Sequence, residues 1–240
     1  MKSYFNWSGG KDSALALYKT KQAGVHVDLL LTSVNSVYNR VSMHGVRREL
    51  LVEQAQSLAI KLAFLDLPEM PDMTVYESLL CEKVSILKNQ GFTNSIFGDI
   101  FLEDLKLYRE NQLAPFGIDC QFPLWKCNTS TLLQEFLDLG FKAIIVCVNE
   151  EYLDKSFCGR VLDQKFIEDL PPNVDPCGEN GEFHTFVFDG PIYNNKIDFT
   201  IGELTRKKYT APKDFDNCFS EINQPDYGFY FIDLLPISLV

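Results

Sequence analysis

The sequence has no run of the roughly 18 to 20 uncharged apolar residues that a membrane-spanning helix needs. Its opening, Lys2-Ser3-Tyr4-Phe5, lacks the basic, apolar and cleavage-site order of a secretory leader. Both absences lead us to expect a cytoplasmic protein with no membrane partner. Paired cysteines are missing too. The seven cysteines, at 81, 120, 127, 147, 158, 177 and 218, are odd in number and contain no C-x-x-C pair. That argues against a disulfide framework and a zinc knuckle, and for reduced, half-buried thiols. Positive charge is scarce: 22 Lys and Arg stand against 33 Asp and Glu, a net charge of -11. Long-range attraction to a phosphate backbone is therefore weak, and nucleic acid is not an expected partner. The local basic cluster Arg206-Lys207-Lys208 reads as a solvated surface turn.

What is present is an ordinary globular composition, 46% apolar over 240 residues, with no internal repeat. Up to about residue 121, short apolar runs (Tyr4-Trp7, Val27-Val34, Leu62-Leu67, Ser95-Phe97) alternate with amphipathic stretches (Lys11-Ala23, Val46-Ile60, Thr74-Gln90, Leu102-Asn111). Such alternation marks βα units on a parallel sheet. Gly24, Gly91 and Gly140 each close a helical pattern, where a left-handed residue ends a helix. After Pro123-Leu124-Trp125 the texture changes to a helix Thr129-Leu139, a strand Ala143-Val148, a loop-rich stretch, and strands Phe183-Asp189 and Phe229-Leu234. The expectation is an α/β protein: a Rossmann-like nucleotide domain over residues 1–125, then a smaller α+β domain over residues 126–240.

The first strand runs into Ser8-Gly9-Gly10-Lys11-Asp12-Ser13, and a helix follows at once. Paired glycines permit a tight turn that brings N–H groups to an oxyanion, and the helix start favours negative charge. A side chain on Gly10 is expected to fill phosphate space. Ser8 and Ser13 offer hydroxyls and Lys11 a point charge. The spacing matches neither Walker A nor the dinucleotide pattern G-x-G-x-x-G. A simple Ser/Asp helix cap would need neither the paired glycines nor the lysine.

In open parallel sheets ligands sit beyond the carboxyl ends of the strands, which singles out Ser33-Asn35, His44 in Met43-His44-Gly45-Val46, and Gly98-Asp99. Asp99 is a candidate Mg²⁺ ligand or the cap of the helix near Leu102. His44 is a candidate donor to a phosphate or substrate oxygen, or a loop histidine without a role; His26 reads as structural. Farther on, Cys177-Gly178-Glu179-Asn180-Gly181-Glu182-Phe183-His184-Thr185 concentrates two acids, a histidine and two glycines before a strand. Strand alternation would put Glu182 and His184 on one face, an acid and a base toward a common cleft. The bland alternative is an exposed charged loop.

The Ser8–Ser13 hexapeptide matches the PP-loop signature S-G-G-x-D-S of ATP pyrophosphatases. With Gly98-Asp99-Ile100, Pro123-Leu124-Trp125 and the Gly178–Thr185 run, the chain as far as about Pro191 resembles the diphthine-ammonia ligase family. The resemblance implies a HUP-type nucleotide domain and a smaller domain completing the cleft. It also implies ATP and Mg²⁺, and adenylation of a carboxylate followed by its amidation with ammonia, releasing AMP and pyrophosphate. The implied acceptor is a modified translation elongation factor. Lys11, Asp12, Asp99, Glu179, Glu182 and His184 would serve catalysis, and Ser8 to Ser13, Ser33 and His44 would hold the nucleotide. Alternative readings are a small carboxylate acceptor such as a corrinoid, or an ATP-binding regulator without turnover. Past Asn194 no motif is recognised.

Overall fold

The apolar runs of the first half pair into a mostly parallel sheet. A computed structural model describes residues 1–42, 44–209 and 227–237, so Met43 and Cys218 lie outside the described residues. The strands are β1 (Lys2–Asn6), β2 (Leu29–Asn35), the two-residue β3 (Arg40–Val41), β4 (Lys61–Leu67), β5 (Phe92–Ile96) and β6 (Asp119–Gln121). Between them lie α1 (Lys11–Gln22), α2 (Arg48–Leu58), α3 (Met73–Asn89) and α4 (Glu103–Leu113). Parallel pairings set the order β4-β2-β1-β5-β6, and β3 returns antiparallel on the end of β2. The chain builds outward from β1 to β4 on one side, then crosses to β5 and β6 on the other. The reversal falls between β1 and β5, where open α/β sheets leave a crevice at their carboxyl ends.

Strand alternation divides the apolar side chains between two faces. Phe5, Leu30 and Val34 face the cluster containing Leu15, Leu17, Leu50 and Leu51 of α1 and α2. Tyr4, Leu31, Leu65 and Leu67 face Val84 and Leu87 of α3 and Leu113 of α4. Burial on both faces explains why these strands read as continuous apolar runs rather than alternating ones.

The second half contains α5 (Thr129–Asp138), β7 (Lys142–Asn149), α6 (Gln164–Asp169), β8 (Phe183–Asp189), β9 (Phe199–Tyr209) and β10 (Tyr227–Pro236). Its four strands form a separate antiparallel sheet, β8-β7-β10-β9. Ile144, Ile145, Val146 and Phe186 of this sheet share one buried cluster with α1 and α2. Gly24, Gly91 and Gly140 have φ of 77°, 90° and 79°, as helix-terminating positions require. Four elements were not expected: β3 and β6, too short to show periodicity, the six-residue α6 inside the stretch read as loop, and β9, whose charged residues mask it. Arg206-Lys207-Lys208 is therefore a strand segment rather than a turn. Arg206 lies in a forked pair with Glu150, with both N–O distances 2.6 Å.

Candidate active site

A cleft of about 540 Å³ opens at the β1/β5 reversal and extends to the second sheet. Ser8, Lys11, Asp12, Ser13, Ser33, His44, Asp99, Glu179 and His184 all line it. Residues as far apart as Ser8 and His184 thus share one cavity.

The Ser8–Ser13 loop is shaped from within and clamped from outside. Gly9 has φ +79°, a conformation that glycine adopts without strain. The Ser8 and Ser13 hydroxyls lie 2.8 Å apart, and the Gly10 amide donates to the Ser8 oxygen at 3.3 Å. Gly10 caps α1 with no side chain of its own, so the helix start keeps its anion-binding character. The clamp is β8: the Val187 amide donates to the Gly9 carbonyl at 2.9 Å, and the Lys11 amide donates to Thr185 Oγ1 at 2.9 Å. This contact also covers an edge strand that would otherwise expose unpaired backbone.

Gln54 completes the clamp. This fully buried side chain on α2 accepts from Trp7 Nε1 at 2.9 Å and donates to the carbonyls of Gly9 (3.1 Å) and Val187 (2.6 Å). Sequence reading missed it, although a polar residue between Leu51 and Ala55 on an apolar helix face is itself a signal, since buried amides demand partners. Gly98 serves close approach: a Cβ there would lie 3.2 Å from backbone atoms of Asp12 and Ser13.

Several expected roles change. Lys11 is 4% exposed and does not project into open phosphate space; its ammonium donates to Asp12 Oδ2 at 2.7 Å and to the Cys177 carbonyl. Burial disfavours its charge, yet the Asp12 carboxylate holds its pKa above the ordinary lysine value. A Cβ on Gly10 would meet His44 Cε1 at 3.0 Å and the Thr185 carbonyl at 3.2 Å, so protein, not phosphate space, faces that position. Glu182 does not share the cleft with His184. Its fully buried carboxylate turns back to accept from the Asp175 amide (2.9 Å), the Asn180 amide (2.8 Å) and Asn180 Nδ2 (3.0 Å). Glu182 therefore shapes the loop that presents Glu179. Strand alternation failed because β8 begins at Phe183, one residue after Glu182.

Asp99 lines the cleft in an ion pair with Arg109, Oδ2 to Nε 2.6 Å, and the guanidinium stacks 4.5 Å from the Phe97 ring centroid. The cap of α4 is Leu102, so Asp99 does not cap that helix. Burial, reinforced by the Asp12 and Asp99 charges, pushes the Glu179 carboxyl up to about 8. Asp12 is raised by burial as well, against the pull of Lys11.

His44 and His184 stack with ring centroids 4.5 Å apart. Burial lowers His44 to about 4; burial and the neighbouring His44 hold His184 well below the histidine value. Both are neutral at pH 7. His44 Nδ1 lies 3.2 Å from the Thr185 carbonyl. A carbonyl can only accept, so this contact places the ring proton on Nδ1 and leaves Nε2 as a lone pair. That tautomer does not donate to a phosphate from Nε2, contrary to expectation; it accepts.

The family models for the diphthamide synthase N-terminal domain and C-terminal domain match residues 1–110 and 128–224. The chain belongs to the diphthine-ammonia ligase family. Diphthine-ammonia ligase of Homo sapiens is 26% identical over 215 residues, covering 79% of each chain. That of Bos taurus is 32% identical over 124 residues, 49% of this chain and 46% of the bovine protein. The matches thus span from about half to about four fifths of these relatives' lengths. A predicted subunit of tRNA methyltransferase from Methanocaldococcus jannaschii superposes with a TM-score of 0.44 at 19% identity, over 61% of this chain and 80% of that one.

For a family that carries ligase names, the residues fit a nucleotide: a Gly-Gly turn at a helix start, with hydroxyls beside it. Among the described residues no group of three His, Cys, Asp or Glu side chains is arranged to hold a metal. Asp12, Asp99 and Glu179 nonetheless line one cleft, which suits a cation arriving with phosphate oxygens better than a cage built by protein alone.

Proposed function

We propose that the chain is an ATP-dependent, AMP-forming ligase that joins ammonia to a carboxylate, as a diphthine-ammonia ligase. The observation that carries this reading is the seating of Thr185 and Val187 on the phosphate loop. The Gly178–Thr185 segment, with Glu179 and His184, thereby lines the same cleft as Ser8, Lys11, Asp12 and Ser13.

In this reading the loop and the start of α1 receive the departing pyrophosphate through backbone amides and the helix dipole. The acceptor carboxylate attacks the α-phosphorus; the bond to the bridging oxygen breaks, giving an acyl adenylate and pyrophosphate. Ammonia then attacks the acyl carbon and AMP leaves. The attacking nitrogen must shed a proton, and Glu179, titrating near 8, is matched to that task at neutral pH. His44 Nε2 and the neutral His184 offer a place for an N–H to be oriented without adding charge. Mg²⁺ would neutralise the phosphate oxygens, held there with Asp12 and Asp99. The second sheet walls the cleft and limits hydrolysis of the adenylate. The acceptor is a carboxylate on a modified translation elongation factor, with a small carboxylate as the competing possibility.

A second reading, an ATP-binding regulator without turnover, draws on Lys11, whose charge is already balanced by Asp12. The two separate in one experiment. Purified protein is given ATP with Mg²⁺, ammonium, and either diphthine-bearing elongation factor or small carboxylates. AMP, pyrophosphate and the amide should form together and depend on both co-substrates. Binding of ATP without AMP release under every acceptor condition would leave the regulator reading standing.

A further inference from the structure

The loop that carries His44 is tied at both feet by a residue far along the chain. Arg40, on β3, and Arg47, just before α2, face one another in an antiparallel bridge and close the segment 41–46 at its base. Asp233 on β10 takes both guanidinium groups. Arg47 donates through Nε at 3.0 Å and Nη2 at 2.7 Å, a forked pair, and Arg40 Nη1 reaches the same carboxylate at 2.8 Å. Arg40 Nη1 also donates to the Gly45 carbonyl at 2.8 Å, so the clamp reaches the residue after His44. On the same strand, Phe231 packs beneath Gly45: a Cβ there, at φ +70°, would lie 2.8 Å from the ring. Within the loop, the His44 amide donates to Ser42 and the Gly45 amide to Val41.

We propose that Asp233, with Phe231 beside it, is a positioning residue that sets His44 against Thr185 and the stacked His184 at the cleft wall. β10 begins at Tyr227, past residue 224 where the C-terminal family match ends. The motif-free tail therefore reaches the site through a three-charge bracket. Asp233, Arg40 and Arg47 have side chains 19%, 27% and 33% exposed, so the pairs are largely shielded from water and stronger than an open surface bridge. Asp233 is held down to about 2: burial alone would raise it, and the two arginines overcome that. The bracket rests on the proposed function for its effect on turnover, but not for its effect on His44.

The test uses the full chain, with three histidines to resolve by NMR. In Asp233→Asn the His44 ring resonance should titrate nearer the ordinary histidine range, because the loop loosens and admits water. ATP affinity, by calorimetry, should fall about tenfold, the scale of one lost ionic anchor. In a His44→Ala background the same change should cost little further affinity, because its effect passes through His44. Arg40→Gln is the companion variant if Asp233→Asn folds poorly, and it should shift His44 in the same direction. An unchanged His44 titration in the variants, or a loss of affinity that adds in full to that of His44→Ala, would overturn the assignment. Because the His44 titration needs no nucleotide, failure of the ligase assay and failure of the bracket are read separately.

Discussion

The backbone amide of Lys11 donates to Thr185 Oγ1 at 2.9 Å across 174 residues of sequence. This bond joins the first residue of α1 to an edge strand of the second sheet. The Ser8–Ser13 loop is therefore not a free-standing turn: its outer wall is supplied by β8, which follows the Gly178–Glu182 segment.

Thr185→Val keeps the β-branched shape and removes the acceptor. Leaving the buried Lys11 amide unpaired should cost about 1–3 kcal/mol in urea denaturation. ATP affinity should fall more than this stability loss explains if the bond also sets the loop's geometry. Wild-type affinity in a folded Thr185→Val would separate β8 from the phosphate site.

Gln54→Leu fills the same space but abandons the Trp7 indole N–H and the Val187 carbonyl; the Gly9 carbonyl retains the Val187 amide. A loss of about 2–4 kcal/mol is expected from the buried groups left without partners. Differential scanning calorimetry should show it as a lowered midpoint, and a midpoint equal to wild type would mean the cluster relaxes or is hydrated.

Glu179 sets a pH dependence with a definite sign. Its folded pKa of about 8 lies above the carboxylate value of 4.5, so its contribution to stability is present below 4.5 and lost as pH rises through 8. Glu179→Gln should raise the unfolding midpoint relative to wild type at pH 9 and change it little near pH 4. In the ligase assay, the rate should climb toward pH 8 in wild type as the carboxylate forms, and that limb should vanish in the variant.

The histidine pair works in the opposite direction. His44 and His184 titrate below the ordinary 6.5, so their contribution is present above 6.5 and lost as pH falls toward 4, where the unfolded chain takes up protons first. His184→Gln should therefore flatten the acid side of the stability curve between about pH 6 and 4. An unaltered acid slope, measured by urea titration at each pH, would place His184 in a wetter setting than the cleft wall described here.

The four βα units and the phosphate turn were legible in the sequence because their signals are local. A buried parallel strand is a short apolar run, its covering helix repeats every three or four residues, and a Gly-Gly pair between them admits few conformations. β3, β6 and β9 were not legible: two are shorter than one alternation cycle can show, and the third carries its charges on an edge strand facing water. Glu182 was misread for a related reason, since strand alternation says nothing about the residue just before the strand begins.

The order of residues by itself determined the glycine turn at the start of α1, because that depends on backbone freedom at Gly9 and on where the helix begins. Tertiary structure decided which groups face the cleft beside that turn. Lys11 turns to Asp12 and Cys177, Glu182 folds into its own loop, and His44 takes its tautomer from Thr185. Asp233 reaches Arg40 across 193 residues. Several of these outcomes depend on contacts between segments remote in sequence, and burial together with the paired charges sets how strongly such charges and protons are held.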